Sequence, residues 1–158
     1  MVKTMNFTFK KLQQDNAIII ANEWKYEEPY SFYDMTADPD DYNEIVNEAL
    51  RNESVYLEAI LNNELAGFFC LEIEENEIEI GLGLKPSLCG KGIGKEFLNC
   101  IIFYINQNYS YDLLSVSVAS FNKRAIKVYE SCGFKKQITF MQETNGGVYE
   151  FIKMIKEK

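Results

Sequence analysis

The chain has 158 residues, 47% of them apolar, and carries a formal net charge of −8. This length predicts one domain over residues 1–158 with one sizeable core, and the composition excludes a disordered chain. The negative charge argues against DNA, RNA and anionic membranes as partners, because these bind patches of Lys and Arg, and it favours cationic partners such as amines.

The residue types exclude further chemistry. The chain has no histidine, which removes Ser-His-Asp, Cys-His and His-zinc sites, and we predict no metal site. Its four cysteines form no Cys-x-x-Cys pair and are typical of small apolar residues in a reducing cytosol. Residues 1–11 lack the apolar region of a signal peptide, and no apolar run reaches the ~20 residues of a membrane span. We therefore expect a cytoplasmic protein.

The first third of the chain predicts a strand and two helices. Apolar alternation indicates a strand over 6–12, and Asp15 is expected to cap a short helix that ends at residue 22. Residues 24–35 are rich in aromatic side chains and too irregular for a strand. A second helix begins near Pro39, which suits the first helical position, and its apolar residues recur at helical spacing to Leu50.

The remainder alternates strands with helices. Patterns of apolar and β-branched residues separated by turns predict further strands over 54–61, 65–74, 77–84, 113–119, 134–143 and 148–155. The first three of these form an antiparallel meander, and the fourth is expected to be central. Helical spacing predicts helices over 93–108 and 121–131, the latter ending at a cap formed by Gly133. The order β-α-α-β-β-β-α-β-α-β-β predicts a mixed α/β sheet with helices on its faces.

A glycine-rich loop connects the meander to the first of these later helices. Glycine permits tight turns and the close approach of a ligand, and the N–H groups at a helix N-terminus bind anions. A tight connection without a ligand would need the same residues. The spacing matches neither Walker A nor the Rossmann fingerprint. The loop and its flank comprise Cys89, Gly90, Lys91, Gly92, Ile93, Gly94 and Lys95.

Two motifs carry a family resemblance. The glycine loop is similar to the pattern Arg/Gln-x-x-Gly-x-Gly/Ala: Gly92 and Gly94 match it, whereas Cys89 stands where Arg or Gln is usual. Residues 122–134 are similar to the pattern Asn-x-x-Ala-x-x-x-Tyr-x-x-x-Gly-Phe. In this order the motifs resemble the GNAT superfamily of acetyl-CoA-dependent N-acetyltransferases. The resemblance covers nearly the whole chain and implies a GNAT-like fold and direct acetyl transfer to a primary amine.

The resemblance also implies how acetyl-CoA is held. The seven residues of the glycine loop and its flank would bind its pyrophosphate through the main chain. Leu82 and Leu84 lie in a strand that splays from its neighbour in GNAT proteins, and they would supply main-chain groups to pantetheine. Asn122 would bind the pantetheine arm, cap its helix, or do both.

Two side chains are candidates for the chemistry. Tyr129 shares a helix face with Asn122, and the resemblance places such a tyrosine near the CoA sulfur, where a protonated phenol can donate. A core tyrosine is the alternative. Glu79 begins a Glu-Ile-Gly segment and is the candidate general base, directly or through water, unless it belongs to a solvated hairpin. Glu77 shares its face and is a candidate ligand for a cationic substrate.

The acceptor site is predicted from the aromatic segment. Trp24, Tyr26 and Tyr30 can hold an ammonium group by cation–π contact, or they cover the core. We expect a small amine or an amino-acid derivative as the acceptor. A protein N-terminus or lysine, or a non-catalytic acyl-CoA sensor, are the alternatives. The oligomeric state stays open, with a homodimer as one alternative.

Overall fold

The computed structural model describes residues 6–158. Its strands are β1 (Thr8–Lys11), β2 (Val55–Leu61), β3 (Glu64–Glu74), β4 (Glu77–Leu84), β5 (Leu113–Ala119), β6 (Lys135–Thr144) and β7 (Gly147–Glu157). Its α-helices are α1 (Gln14–Glu23), α2 (Pro39–Val46), α3 (Glu48–Arg51), α4 (Ile93–Asn108) and α5 (Lys123–Ser131). Short 3-10 turns occupy Tyr30–Tyr33, Met35–Ala37 and Pro86–Leu88.

These strands form one seven-stranded mixed sheet in the order β1-β2-β3-β4-β5-β7-β6. Every neighbouring pair is antiparallel except β4 and β5, which are parallel because α4 crosses between them. The predicted mixed α/β class and the meander over β2, β3 and β4 are confirmed. The predicted central position of β5 is confirmed as well, because it lies between β4 and β7.

The helix boundaries in the first third differ from the prediction in two places. Asp15 lies inside the first turn of α1, and the helix begins after Gln13, whose backbone N–H is bound by the buried Glu58 carboxylate at 3.0 Å. The second helix stops at Val46 instead of continuing to Leu50. Asn47 leaves the helical conformation there, and its side chain caps the short α3.

The two faces of the sheet carry different helices. On one face α4 packs through Phe97, Leu98, Ile101 and Ile105 into the larger core cluster, which α5 also covers. On the other face α1 and α2 enclose a smaller cluster that includes Ile45 and Phe68. No helix within residues 6–158 is long and apolar enough to cross a membrane.

The sheet opens between its two parallel strands. β4 and β5 pair only through Glu77–Glu79 and Leu113–Ser115. Beyond these residues β4 continues beside β3 alone, while β5 continues beside β7 alone. The two strands therefore diverge in the middle of the sheet, in agreement with the splayed strand that the resemblance implied.

Candidate active site

A cavity of about 720 Å³ lies at this divergence. On the side of α4 and α5 it is lined by Leu82, Leu84, Gly90, Gly92, Gly94, Asn122 and Tyr129, which we call the donor arm. On the side of α1 and α2 it is lined by Asp41, Glu44, Tyr56, Cys70 and Glu72, which we call the acidic arm. One cavity thus joins the two faces of the sheet through the gap between β4 and β5.

The glycine loop ends at an open helix N-terminus. Gly90 and Gly92 have φ angles of +75° and +76°, a conformation that strains residues with a Cβ. Gly92 is the N-cap of α4, and no side chain caps this end of the helix. The first N–H groups of α4 therefore point outward without a side-chain acceptor, which is the arrangement that binds anions.

Gly94 serves a packing purpose instead. A Cβ at this position would meet a methyl group of Val128 on α5 at 3.4 Å. The absent side chain lets the first turn of α4 lie directly against α5, which brings the glycine loop beside the second motif.

The main chain of β4 faces the gap at alternate residues. The carbonyl oxygen of Leu84 accepts a hydrogen bond from the Tyr26 hydroxyl, whereas the N–H of Lys85 donates to Ala66 beside β3. In an antiparallel strand the N–H and C=O of one residue point to the same side, and this side alternates along the strand. The peptide groups of Leu82 therefore also face the gap, where no strand pairs with them.

Glycines within β4 make room for side chains of β3. A Cβ on Gly83 would lie 2.5 Å from the Phe68 ring, and one on Gly81 would lie 2.8 Å from the Cys70 sulfur. These residues are direct cross-strand partners. The two glycines thus allow the large side chains of β3 to cross β4 on the face of the acidic arm.

Tyr129 lines the cavity, and its hydroxyl has no hydrogen-bond partner in the described part of the chain. Its ring packs edge-on against Phe134, with 6.1 Å between ring centroids, and no hydrogen bond joins its hydroxyl to another residue within 6–158. Burial raises its pKa well above the ordinary value, and the neighbouring Tyr33 adds to this. The phenol therefore holds its proton at neutral pH and has it available for a ligand.

Asn122 forms the predicted cap. Its side-chain oxygen accepts from the N–H of Ala125 at 3.1 Å, and its side chain also interacts with the Tyr33 hydroxyl. The residue is buried and lines the cavity. The cap uses one acceptor position of the amide oxygen, and a contact of the same side chain with pantetheine stays a prediction.

The aromatic segment lines the cavity but is already engaged. Trp24 is only 5% exposed and packs against Phe68 in the smaller core cluster. The Tyr26 hydroxyl is bound to Leu84, and the Tyr30 ring lies under the guanidinium of Arg124 at 4.0 Å. Tyr30 thus makes a cation–π contact within the protein, and the predicted contact of these residues with a substrate ammonium group stays a prediction.

Sequence comparison identifies the family. The family model of the GNAT acetyltransferases matches residues 18–134, which is most of the chain. The chain belongs to the GNAT acetyltransferase family. As a GNAT protein it is an acyltransferase, as the two motifs predicted. No curated protein sequence matches it significantly.

Solved structures share the GNAT fold. A chimera of the spermidine N-acetyltransferase SpeG from Vibrio cholerae and hSSAT is 22% identical, with a TM-score of 0.72 over 96% of this chain and 95% of that one. AAC(6')-Ib in complex with ribostamycin and coenzyme A is 18% identical, with a TM-score of 0.72 over 96% and 93%. The ribosomal-protein-S5-alanine acetyltransferase of Vibrio fischeri is 17% identical, with a TM-score of 0.69 over 99% and 95%.

The structure brings most of the predicted GNAT site residues together at the cavity. Those that line it are Trp24, Tyr26, Tyr30, Leu82, Leu84, Cys89, Gly90, Gly92, Gly94, Lys95, Asn122 and Tyr129. Lys91 is exposed and Ile93 is buried in the core, and neither side chain reaches the cavity. Cys89 is half-buried beside the carbonyls of Leu84 and Lys85, and burial raises the pKa of its thiol.

Neither predicted glutamate lines the cavity of this GNAT protein. Glu77 forms an ion pair with Lys153 at 3.0 Å and accepts from the Ser115 hydroxyl at 2.9 Å. Glu79 lies half-buried opposite Glu72 on β3 and pairs with Ser115 at the last position where β4 and β5 are joined. A substrate contact by Glu77 would require breaking its ion pair, and the role of Glu79 as a base stays a prediction.

Arg124 also lines the cavity, and the sequence did not point to it. Its guanidinium lies over Tyr30 and within 3.6 Å of the position that a Cβ on Gly90 would take. It therefore adds a positive charge beside the glycine loop. The available signal was its place in the first turn of α5, two residues after Asn122.

The acidic arm is the second feature that was missed. The pKa of Asp41 is raised to about 6 by burial and by the charges of Asp38, Glu44 and Asp40. The pKa of Glu72 is raised by burial and then by neighbouring carboxylates, Glu44 among them. No ion pair within residues 6–158 involves Asp41, Glu44 or Glu72. Their convergence could not be read from the sequence, because α2 and β3 are distant along it.

Proposed function

We propose that the protein transfers the acetyl group of acetyl-CoA directly to a primary amine of a small molecule, such as an amine or an amino-acid derivative. The cavity between β4 and β5 is the proposed reaction site, within one domain over residues 1–158 that acts in the cytoplasm. The observation that carries the proposal is the convergence of three unpaired features on this cavity: the N-terminus of α4, the free edge of β4 and the Tyr129 hydroxyl.

The donor arm fits acetyl-CoA. The open N–H groups of α4 suit a pyrophosphate, and Lys95 and Arg124 add positive charge where they line the cavity. The main chain of Leu82, unpaired toward the gap, suits the amide groups of pantetheine. Coenzyme A and acetyl-CoA are present in the similar AAC(6')-Ib complexes, which supports this assignment.

The chemistry requires proton movements that this chain can provide. Transfer forms a nitrogen–carbon bond and breaks the carbon–sulfur bond, and the leaving sulfur needs a proton. Tyr129 holds that proton at its hydroxyl oxygen and donates it to the sulfur. The amine loses a proton to solvent or, through water, to Glu79, and solvent then returns a proton to Tyr129.

The attachment of the aromatic segment favours a small acceptor over a peptide. Hydrogen bonds attach the segment and the turn after it to the sheet at three points. The Tyr26 hydroxyl donates to Leu84, and the Tyr33 hydroxyl accepts from the N–H of Ala119. The Asp38 carboxylate accepts from Thr144 and Asn145. The segment therefore crosses the cavity on the acceptor side. The similar spermidine and aminoglycoside N-acetyltransferases support an amine as acceptor.

An acceptor screen tests this function. The purified protein is incubated with acetyl-CoA and a panel of small amines, amino-acid derivatives and peptides, and released CoA thiol is measured. We expect thiol release with small primary amines and little with peptides. Acetyl-CoA binding without release for any acceptor would contradict the proposal and favour a sensor, and release with peptides alone would favour a protein acetyltransferase.

A further inference from the structure

A second, smaller cavity lies at the edge of the sheet, where β1 ends. It has a volume of about 200 Å³, and of the described residues that line it only Tyr56 also lines the larger cavity. Its walls come from the end of β1, the turn between α3 and β2, and the C-terminal part of α4. We call it the edge cleft, and its polar lining consists of Lys11, Arg51, Asn52, Ser54, Tyr104 and Tyr109 with Tyr56.

We propose that the edge cleft binds a small oxyanion, a phosphate or carboxylate group, through the guanidinium of Arg51. This site is separate from the proposed reaction site and does not depend on acetyl transfer.

Arg51 is buried without an anionic partner. The residue is only 3% exposed. The ion pairs within residues 6–158 are Lys10 with Glu58 and Lys153 with Glu77, so no carboxylate there neutralises Arg51. Removing a charge from water is costly, and buried cations are therefore usually paired with an anion. The fold thus holds a charge that a bound anion would neutralise.

The protein itself uses only one nitrogen of this guanidinium. Nη1 donates to Oε1 of Gln14 at 2.9 Å and to the carbonyl oxygen of Ile45 at 2.6 Å, which joins α1 to α2. Nε and Nη2 have no hydrogen-bond partner within residues 6–158. These two nitrogens form the edge of a guanidinium that binds two oxygens of one carboxylate or phosphate in parallel. The structural role of Arg51 therefore leaves its oxyanion-binding edge unused.

The unused edge is accessible from the cleft. No fully buried side-chain nitrogen or oxygen among the described residues lacks a hydrogen-bond partner. Nε and Nη2 of Arg51 are therefore not fully enclosed by protein, and the space that Arg51 borders is the edge cleft. A ligand in the cleft can reach both nitrogens.

The charge of the cleft suits an anion. Lys11 and Arg51 are the charged residues of its described lining, and both are positive, although the whole chain carries a net charge of −8. A concave site with charge of one sign attracts ions of the opposite sign. Further donors are available, because four lining side chains make no hydrogen bond to another residue within 6–158: Asn52, Ser54, Tyr104 and Tyr109.

The paired donors of Arg51 favour an oxyanion over a halide. Nε and Nη2 match the spacing of two oxygens in one planar or tetrahedral group. A chloride ion gains from the positive charge of Arg51 and Lys11 but does not supply two acceptor atoms. Chloride is therefore the comparison ion for a test.

Calorimetry tests the inference. The protein is titrated with sodium phosphate and with sodium acetate, and sodium chloride keeps the ionic strength constant. CoA is present in excess, so that the glycine loop is not open to the added anion. We expect one saturable site with a Kd of about 1 mM or lower for at least one of the two oxyanions. The tighter of the two identifies the group that the cleft prefers.

Two variants locate this binding. Arg51→Lys keeps the charge but loses the paired donors, so the Kd should rise about tenfold or more. Lys11→Gln changes an exposed side chain, and the Kd should rise about threefold. Lys136→Gln is the matched control, because Lys136 is an exposed lysine of β6, the opposite edge strand, and lines neither cavity. It should leave the Kd unchanged, and circular dichroism should show all three variants folded.

Three results would overturn the inference: no saturable oxyanion binding by the wild type, a binding signal that chloride alone reproduces, or a Kd that Arg51→Lys does not change. If Arg51→Lys does not fold, Lys11→Gln decides, and a Kd equal to that of the wild type would refute the site. Oxyanion binding that depends on these residues supports the inference whether or not the protein acetylates any amine.

Discussion

The Tyr26 hydroxyl donates a hydrogen bond to the carbonyl oxygen of Leu84 at 2.7 Å. This contact joins the aromatic segment on the acceptor side to the free edge of β4 on the donor side. It therefore holds the aromatic segment in place where the donor arm meets the acidic arm of the cavity. Burial is the main reason why the pKa of Tyr26 lies far above its ordinary value, so the hydroxyl keeps its proton for this bond.

Replacement of Tyr26 by phenylalanine removes this hydrogen bond and should make the aromatic segment less firmly held. We expect Tyr26→Phe to lower the free energy of unfolding by about 1 kcal/mol, the usual contribution of one hydrogen bond. The KM for the amine should rise severalfold, because the segment that lines the acceptor side loses an anchor. Denaturant unfolding and steady-state kinetics measure the two effects. Tyr149→Phe, at an exposed tyrosine outside the cavity, is the control, and equal behaviour of the two variants would contradict the account.

Gly92→Ala tests the glycine loop. No atom lies within 4 Å of the position of the new Cβ, so the change acts through the backbone alone. The positive φ strains alanine by about 1–2 kcal/mol. A shift of the loop that relieves this strain turns the first N–H groups of α4 away, so we expect the Kd for acetyl-CoA to rise about tenfold or more by calorimetry.

Gly146→Ala is the matched control for this variant, because it also has a φ of +75° and open space around it, in the turn between β6 and β7. It should show a similar loss of stability with unchanged acetyl-CoA affinity. If both variants bind acetyl-CoA as the wild type does, the loop does not hold the donor.

Much of this architecture could be predicted from the sequence because the signals are local. The alternation of β2, β3 and β4, the helical spacing of α4, and the glycines before it all lie within short segments. Asp15 was placed wrongly as a cap because Glu58, which is distant in sequence, binds the start of α1 instead. Long-range packing decided that boundary.

The same difference between local and long-range signals explains which parts of the candidate site could be predicted. The donor arm follows from two continuous motifs, whereas the acidic arm combines α2 with β3 and depends on how the helix lies on the sheet. Gly81 and Gly83 of β4 also depend on a long-range relation, the pairing of β4 with β3. A Cβ at either position would meet a side chain of β3, Cys70 beside Gly81 and Phe68 beside Gly83.

Gly83→Ala tests this packing. Its Cβ would lie 2.5 Å from the buried Phe68 ring, so the ring or the strand must shift to admit it. Overpacking of this kind costs about 1–3 kcal/mol of unfolding free energy, measurable by denaturant unfolding. In the double variant with Phe68→Leu the two losses should be less than additive. Strict additivity would show that the ring does not restrict position 83.

The raised pKa of Asp41, about 6, predicts a pH dependence of protein stability. The groups that face Asp41 set the sign of the stability effect. They are Asp38, Asp40 and Glu44 around α2, with Glu72 on β3 and Tyr56 on β2 lining the same cavity. A carboxyl whose folded pKa is raised destabilises the protein when it is charged, so its contribution to stability increases as the pH falls from above 6 to about 4.

The pKa of Asp38 is lowered instead of raised, so its effect on stability has the opposite dependence on pH. The N–H of Asn145 and the Thr144 hydroxyl lower its pKa, so its stabilisation is present above pH 4 and is lost below it. Unfolding of wild type and Asp41→Asn between pH 7 and pH 5 separates the two residues. A wild type that gains no more stability than the variant over this interval would contradict the assignment to Asp41.

The most direct test of acetyl transfer at this cavity is CoA thiol release by Tyr129→Phe, with acetyl-CoA affinity measured on the same samples. The substitution keeps the ring against Phe134 and removes only the hydroxyl that opens on the cavity. We predict that kcat falls by about 10²-fold or more, the usual effect of losing a general acid, while the Kd for acetyl-CoA changes by less than about threefold. Turnover equal to that of the wild type would contradict the account.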